Sequence, residues 1–393
     1  MFEQLPASKG DPILALMAEF RADERPDKID LGVGVYKDAA GRTPIMRAVK
    51  AAETRLLGDQ ATKAYVGLAG DTGFNDAMGR MILGGSLDEA RFSAVQTPGG
   101  GGALRELFEL VKWSRPEATI WLSDPTWANH RAIIDKVGLA RDVYAYFDAE
   151  TRAVDFDAMV LSLAAARAGD CILLHGCCHN PTGANLTLDQ WQTLAGLFAD
   201  RGLVPFIDLA YQGFGDGLDE DVAGVRLMAE AVPETMIAAS CSKNFGLYRD
   251  RVGVAIALSE TGPRANVQAA LGTLARANYS MPPDHGAATV RLILEDGGLR
   301  TDWVDELTEM RERMLGLRGG FSNALRKAAG SDRFSFIAAH RGMFSLSGAT
   351  PEQVERLRAE HAIYLIGDGR MNVAGLAEDK LDRIAAAFVE VGM

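Results

Sequence analysis

The sequence is poor in cysteine, in basic residues and in long apolar runs, and each shortage disfavours a class of protein. Four cysteines in 393 residues are too few for a disulfide framework, so we expect a reducing, cytoplasmic location. The net charge of −12 disfavours nucleic acid and anionic membranes as partners. No apolar stretch approaches the length that crosses a bilayer, and the first residues lack a signal-peptide pattern.

The sequence predicts an α/β protein with three parts. These are an N-terminal arm with part of a small domain (1–44), a large domain (45–290) and the rest of the small domain (291–393). Asp11 and Pro12 have the residue types of an N-cap and a first helical position, which predicts a short opening helix. The charged helix after residue 290 and the short apolar segments beyond it are typical of a smaller α+β domain.

Short apolar runs alternate with helical segments in the middle of the chain. They are ATIWLSD (118–124), DCILLHGCC (170–178), LVPFIDLA (203–210) and TMIAASCS (235–242). None shows apolar–polar alternation, which indicates strands that are buried on both faces. We therefore predict a mostly parallel sheet covered by helices.

Polar residues follow the ends of these four strands. They include Trp127, the segment HGCCHNPTG (175–183), Asp208 with Tyr211, and the segment SCSK that ends at Lys243. Ligands of open α/β sheets bind at the carboxyl ends of the strands, so we expect these residues to converge on one site. Lys243 then has an amide, an acid, a phenol, an indole and hydroxyls as candidate neighbours.

Four glycines, Gly99 to Gly102, directly precede an amphipathic helix. Such a run suits either a tight strand-to-helix turn or a phosphate site at a helix N-terminus. A nucleotide-binding loop is disfavoured because neither GxxxxGK[ST] nor GxGxxG is present. Ser240, Ser242 and Arg251 offer further anion donors, although the segment NFGLYRDR also suits a solvated loop.

The other candidate residues each have a structural alternative. Asp208 either caps a turn or faces a protonated ring nitrogen, and Trp127 either fills the core or stacks on a planar cofactor. Arg276 and Arg370 are either solvated or form bidentate contacts with carboxylates.

A metal site at the Cys177–Cys178 pair is disfavoured. Adjacent cysteines in an extended chain point to opposite faces, and no second pair has ligand spacing. The segment HNPTG instead suits a polar turn that presents Asn180 at a strand end.

The motifs HNPTG, DLAYQGFG, SCSKNFGLYRDRVG, RANYS and GRMNVAG together resemble the class I aminotransferases of fold type I, the aspartate and aromatic amino acid transaminases. The resemblance covers nearly the whole chain and implies pyridoxal 5′-phosphate as cofactor. It assigns Lys243 to the lysine that binds the cofactor covalently and carries the substrate proton. Asp208, with His130 behind it, matches the acid that pairs with the ring nitrogen.

The resemblance also assigns the remaining site residues. Asn180 and Tyr211 match the pair that bonds the cofactor's phenolic oxygen, and Trp127 matches the stacking indole. Arg370 matches the residue that binds the substrate α-carboxylate. The residues at the phosphate-binding positions are Gly100, Gly101, Ser240, Ser242 and Arg251, together with Tyr65 from a neighbouring subunit. Gly34 and Phe344 match residues that line the substrate pocket. Arg276 matches the arginine that reaches a distal carboxylate across a homodimer.

The chain departs from the family pattern at three positions. Gly101 replaces the threonine of PGGTGA and removes one hydroxyl donor. Cys241 stands where relatives often have tyrosine, with no clear consequence. Met281 replaces the asparagine of YSNPP and favours a pocket that also accepts aromatic rings.

The function predicted from the sequence is amino-group transfer. The amino group would move between aromatic or acidic L-amino acids and 2-oxoglutarate by a ping-pong mechanism. The alternatives are a strict aspartate transaminase, another pyridoxal phosphate reaction such as decarboxylation or β-elimination, and a non-catalytic binding protein.

Overall fold

The computed structural model describes residues 2–5, 10 and 12–393. Its helices are α1 (Pro12–Ala22), α2 (Arg47–Asp59), α3 (Thr72–Leu83), α4 (Gly99–Ser114), α5 (Ala128–Val137), α6 (Phe156–Leu163), α7 (Leu188–Arg201), α8 (Ala223–Ala231), α9 (Arg264–Asn278), α10 (Asp284–Glu295), α11 (Gly297–Ala329), α12 (Phe336–Ala339), α13 (Pro351–His361) and α14 (Leu381–Glu390). The first helix begins at Pro12 as expected, whereas Asp11, its predicted N-cap, lies outside the described residues.

The strands are β1 (Ile29–Asp30), β2 (Phe92–Pro98), β3 (Thr119–Asp124), β4 (Ala140–Ala145), β5 (Phe147–Asp148), β6 (Ala153–Val154), β7 (Cys171–His175), β8 (Val204–Leu209), β9 (Thr235–Ser240), β10 (Val252–Leu258), β11 (Phe344–Leu346), β12 (Ile363–Tyr364) and β13 (Arg370–Asn372). Seven of them form one sheet in the order β2-β10-β9-β8-β7-β3-β4. The pairs β3–β4, β3–β7, β7–β8 and β8–β9 are parallel. Only β10 runs antiparallel to both of its neighbours within this sheet, so the predicted mostly parallel α/β fold is confirmed.

Both faces of the large sheet are buried, which explains why its strands lack alternation. Leu173 and Phe206 belong to a core that includes residues of α4, whereas their neighbours Leu174 and Ile207 belong to a core with residues of α7 and α8. Successive side chains of a strand point to opposite faces. Each face therefore requires its own apolar set, and the two sets together make a continuous apolar run.

A third core lies in the C-terminal part of the chain. It contains Ile29 from β1, Phe388 from α14 and residues of α13 and β12, and β1 pairs in parallel with β12. Helix α11 extends along two cores, because Trp303 packs in the large-sheet core and Phe321 packs in the C-terminal one. The boundaries at residues 44 and 290 stay predictions.

Arg318 of α11 is fully buried, and no carboxylate is among its hydrogen-bond partners in the described part of the chain. Its guanidinium instead donates hydrogen bonds to backbone carbonyls and one hydroxyl in the segment 337–345, namely Ile337 O, Arg341 O, Gly342 O, Phe344 O and Ser345 Oγ. This single side chain therefore ties the long helix to the segment that leads into β11. Among the described helices, none is long and apolar enough to cross a membrane.

Candidate active site

The carboxyl ends of the central strands border a cavity of about 240 Å³. Thirteen of the fifteen site residues predicted above line it: Gly34, Gly100, Gly101, Trp127, Asn180, Asp208, Tyr211, Ser240, Ser242, Lys243, Arg251, Phe344 and Arg370. Ile13, Leu104 and Ala210 also line this cavity and were not predicted. Ala210 could have been predicted, since it lies between the predicted residues Asp208 and Tyr211 directly after β8. Nothing in the sequence of α1 links Ile13 to the site.

Lys243 lies in the turn that follows β9, and its half-buried side chain enters the cavity. Its Nζ lies 4.9 Å from the centroid of the Tyr211 ring. Desolvation lowers the pKa of Lys243 to about 8; the nearby carboxylate of Asp208 opposes this change, whereas Arg251 and Arg370 add to it. A larger fraction of this amine is therefore neutral and nucleophilic near physiological pH than of an ordinary lysine.

Asp208 is the penultimate residue of β8, and its buried side chain lines the cavity. Burial alone would raise its pKa, but the hydrogen bond from His130 and the charges of His130, His175 and Lys243 outweigh burial, and the pKa is lowered. The distance from His130 Nε2 to Asp208 Oδ2 is 2.9 Å, and His130 Nδ1 lies 2.8 Å from Thr126 Oγ1. This network assigns the imidazole proton to Nε2 and leaves Asp208 as an ionised acceptor.

The N-terminus of α4 forms an anion cradle at one side of the cavity. Gly99 has a φ of +73°, and a Cβ built there would lie 2.3 Å from Arg251 Nη2. A Cβ at Gly100 would likewise lie 2.9 Å from Ser240 Cβ, so side chains at these positions would displace the cradle's own donors. Arg251 Nη1 donates to Ser242 Oγ over 3.3 Å. The glycine run thus makes a tight turn and also opens a helix N-terminus to two hydroxyls and a guanidinium.

Arg370 presents a buried guanidinium from β13 on the opposite side. Its Nη1 donates to Asn180 Oδ1 over 3.3 Å, and its Cζ lies 4.5 Å from the centroid of the Phe344 ring. Its Nε is buried and has no hydrogen-bond partner in the described part of the chain, and burial lowers the pKa of Arg370. A buried cation with a free donor has the chemistry to bind a carboxylate.

Tyr65 and Arg276 do not line the cavity of this chain. The side chain of Tyr65 is 88% exposed, and Arg276 is exposed with its Nη1 donating to Ser280 Oγ over 2.6 Å. Met281 is partly buried beside this turn and also lies outside the residues that line the cavity.

The expectation that Cys177 and Cys178 point to opposite faces is wrong. Cys178 has a φ of 52°, so the chain is not extended there, and both sulfurs lie within 4.8 Å of each other and of the Asp221 carboxylate. These groups already have partners in the protein. The carboxylate accepts amide hydrogens from the loop 213–216, and burial raises the pKa of the Cys178 thiol.

The fold and the cavity together bring a lysine, a buried acid, a glycine-rich helix N-terminus and a buried arginine to one place. The sequence profile of the family "Aminotransferase class I and II" matches residues 26–388. The chain belongs to this family. The predicted family, the aminotransferase activity and pyridoxal phosphate as the cofactor are confirmed.

Known proteins similar to this chain include two kinds of transaminase. The aromatic-amino-acid aminotransferase of Paracoccus denitrificans is 54% identical over 100% of both chains. The aspartate aminotransferase of Escherichia coli (strain K12) is 47% identical over 100% of both chains. The solved structure of the aromatic-amino-acid aminotransferase from Burkholderia pseudomallei, covalently bound to pyridoxal phosphate, superimposes with a TM-score of 0.97, at 40% identity over 100% of this chain and 99% of that one.

Proposed function

We propose that this enzyme transfers amino groups between aromatic or acidic L-amino acids and 2-oxoglutarate by a ping-pong mechanism. The observation that carries the proposal is the placement of Lys243, Asp208, Arg370 and an anion cradle around one cavity. The similar proteins named for aromatic amino acids and for aspartate support this substrate range.

The donors in the cavity fit pyridoxal phosphate. Asp208, whose negative charge is stabilised by His130, would accept a hydrogen bond from the pyridine nitrogen and keep that nitrogen protonated. The cradle at the start of α4 would bind the phosphate. Asn180 and Tyr211 would bond the phenolic oxygen; burial, aided by the charge of Asp208, raises the pKa of Tyr211 and keeps it a neutral donor. The bound cofactor supplies an electron sink for the negative charge that develops at the substrate Cα.

Lys243 is the proton carrier of the reaction. Its Nζ takes the proton from Cα of the amino acid in the first half-reaction and returns a proton to Cα of the new amino acid in the second. A general base works best when its pKa lies near the operating pH, and the pKa of about 8 meets this condition. The neighbouring Tyr211 ring limits the space that the amine can occupy.

The substrate is held at its two ends. Arg370 binds the α-carboxylate, which its free Nε and the adjacent Asn180 amide favour. We propose that the enzyme is a homodimer in which Arg276 binds the distal carboxylate of a substrate in the partner's site and Tyr65 reaches the partner's phosphate. The exposure of both side chains in a single chain is consistent with these roles.

Dual specificity is the part of the proposal that needs a direct test. Met281 places a flexible apolar side chain beside Arg276, and arginine on its long stem can move aside for an aromatic ring. A panel of aspartate, glutamate, phenylalanine, tyrosine and tryptophan against 2-oxoglutarate should give turnover with both classes. A deficit in kcat/KM for phenylalanine beyond ~100-fold relative to aspartate would reject dual specificity in favour of a strict aspartate transaminase.

The same cavity chemistry would serve other reactions at Cα, and two observations separate them from transamination. A carboxylate clamp at Arg370 favours a substrate that keeps its α-carboxylate, which disfavours decarboxylation. Addition of glutamate alone should shift the visible absorption of the holoenzyme and release one equivalent of 2-oxoglutarate per site. An unchanged spectrum would favour a binding protein, and release of carbon dioxide would favour a decarboxylase. We also propose the cytoplasmic location that the few cysteines suggest.

A further inference from the structure

Glu106 is a buried carboxyl group that none of the proposed catalytic steps uses. It lies on α4 and is 0% exposed, and its Oε1 has no hydrogen-bond partner among the residues that the structure describes. Its Oε2 accepts a hydrogen bond from Asn278 Nδ2 over 3.2 Å. A buried carboxyl group without a cation is costly to maintain, so its contact with Asn278 indicates where to look for its role.

That contact lies at the end of α9, the helix that carries Arg276. Asn278 is the last residue of α9, and its Nδ2 also donates to Glu109 Oε2 over 2.5 Å. Tyr279 caps the helix and donates from its hydroxyl to the carbonyl of Gln96 over 3.2 Å. Arg276 lies in the last turn of α9, so the direction of its side chain depends on how these contacts hold the helix end.

We propose that Glu106 is a positioning residue that acts through Asn278 to orient Arg276, and that it thereby sets the preference for dicarboxylic over aromatic substrates. The inference rests on the proposed function, in which Arg276 binds the distal carboxylate in the partner's site. Helix α4 also carries the anion cradle at its start, so one rigid helix would link the cofactor phosphate of one site to the substrate arginine of the other.

The protonation state of Glu106 should modulate this contact. Burial raises the pKa of Glu106 to about 7; the charge of Glu109 adds to this change, whereas the hydrogen bonds from Asn278 and from the backbone of Ala275 oppose it. The other groups that face it are Glu109, which forms an ion pair with Arg105 on the same helix, and Tyr279 of the α9 end, where burial raises the pKa and keeps the phenol neutral. An ionised carboxylate accepts a stronger hydrogen bond than the neutral acid, so Asn278 is held better as pH rises through about 7.

The test compares Glu106→Leu, Glu106→Gln and the control Glu117→Gln in the holoenzyme, with kcat and KM for aspartate and phenylalanine between pH 6 and 8. Glu117 is an exposed carboxylate beyond the end of α4 that pairs with Arg115. Glu106→Leu removes the bond and should raise KM for aspartate roughly three- to tenfold, the net contribution of one ordinary hydrogen bond. The kcat for aspartate and the KM for phenylalanine should change less than about twofold. Cofactor absorption and Tm of each variant verify that the fold and the loaded site are intact.

The pH profile separates positioning from mere packing. The ratio of kcat/KM for aspartate to that for phenylalanine cancels the free-enzyme titrations that both substrates share, and in the natural enzyme it should rise from pH 6 to 8. Glu106→Gln keeps the side-chain shape and the acceptor but cannot ionise, so its ratio should be flat, whereas Glu117→Gln should keep the rise. An unchanged ratio in Glu106→Leu, or a natural pH profile in Glu106→Gln, would overturn the inference.

Arg276→Ala distinguishes this inference from the proposed function. If Arg276→Ala lowers the aspartate-to-phenylalanine ratio and Glu106→Leu does not, the proposed function stands and the inference fails. If Arg276→Ala leaves the ratio unchanged, the role proposed for Arg276 is wrong, and the inference fails with it. If Arg276→Ala and Glu106→Leu both lower the aspartate-to-phenylalanine ratio, and the pH profile of Glu106→Gln is flat, the proposed function and the inference are both supported.

Discussion

Replacement of Arg318 by Met should destabilise the protein and also weaken binding of every substrate. Methionine fills a similar volume but offers no donor to the carbonyls of Ile337, Gly342 and Phe344, which now accept bonds of 3.0, 2.8 and 2.7 Å. Each buried acceptor that loses its donor costs about 1–3 kcal/mol. Removal of a buried cation with no carboxylate partner offsets part of this cost, so we expect a net loss of about 3–5 kcal/mol.

The expected effect on activity follows from the position of Phe344. Its carbonyl is held by Arg318, and its ring contacts the guanidinium of Arg370. Loosening this segment should raise KM for aspartate and phenylalanine alike, because both substrates present the same α-carboxylate to Arg370. This uniform change contrasts with the selective change expected at Glu106.

The measurements are urea unfolding of the holoenzyme by far-UV circular dichroism and steady-state kinetics with both substrates. Arg318→Lys is the matched control, because a lysine ammonium keeps the charge but cannot reach all the acceptors of a guanidinium fork. We expect the Lys variant to be destabilised as well. A Met variant within about 1 kcal/mol of the natural protein, with unchanged KM values, would refute the role given to Arg318.

Four further outcomes are expected. Lys243→Ala should abolish turnover without changing the fold; near-normal activity with aspartate would contradict its role. In the cofactor-free enzyme, acylation of Lys243 should follow a titration centred near pH 8, because desolvation lowers its pKa to about 8 and only the neutral amine reacts; a midpoint near 10 would show an unperturbed lysine. Asp208→Ala should lower kcat by roughly 10²–10³-fold, the usual loss for one preorganised electrostatic partner; weaker cofactor binding with unchanged single-turnover chemistry would oppose this. Mixed dimers of Lys243→Ala and Arg276→Ala subunits should regain part of the activity, since one of their two sites is intact; no recovery would mean that each subunit is self-contained.

The central strands were predictable from the sequence because burial on both faces leaves a simple pattern. The four apolar runs correspond to β3, β7, β8 and β9. The antiparallel β10 was not distinguished, because its composition is as apolar as that of its parallel neighbours. Its direction was nevertheless implied by the short connection 241–251, since a parallel crossover usually requires a dozen or more residues.

The site was predictable where polar residues directly follow strands, and less so elsewhere. Asp208 and Lys243 were predicted because ligands of α/β sheets bind at the carboxyl ends of the strands. Phe344 and Arg370 come from distant elements and were placed by family resemblance. Ile13 was missed because tertiary packing alone brings α1 to the cavity. The geometry of the cysteine pair was missed because the left-handed backbone at Cys178 is rare for a residue with a side chain.

The pairing of β1 with β12 has a consequence for how the chain is made. Strand β1 has its partner in the last part of the sequence, and the nearby Arg25 Nη1 donates to Ala359 O, 334 positions further on. At 5–20 residues per second a ribosome requires on the order of 20 to 70 s to synthesise that interval. The nascent N-terminal segment must wait for that time without its partner strand, while the sheet that carries Lys243 has already emerged. Lys243 is therefore made well before Arg370, and the cavity that both residues line cannot be complete until the later segment has been synthesised.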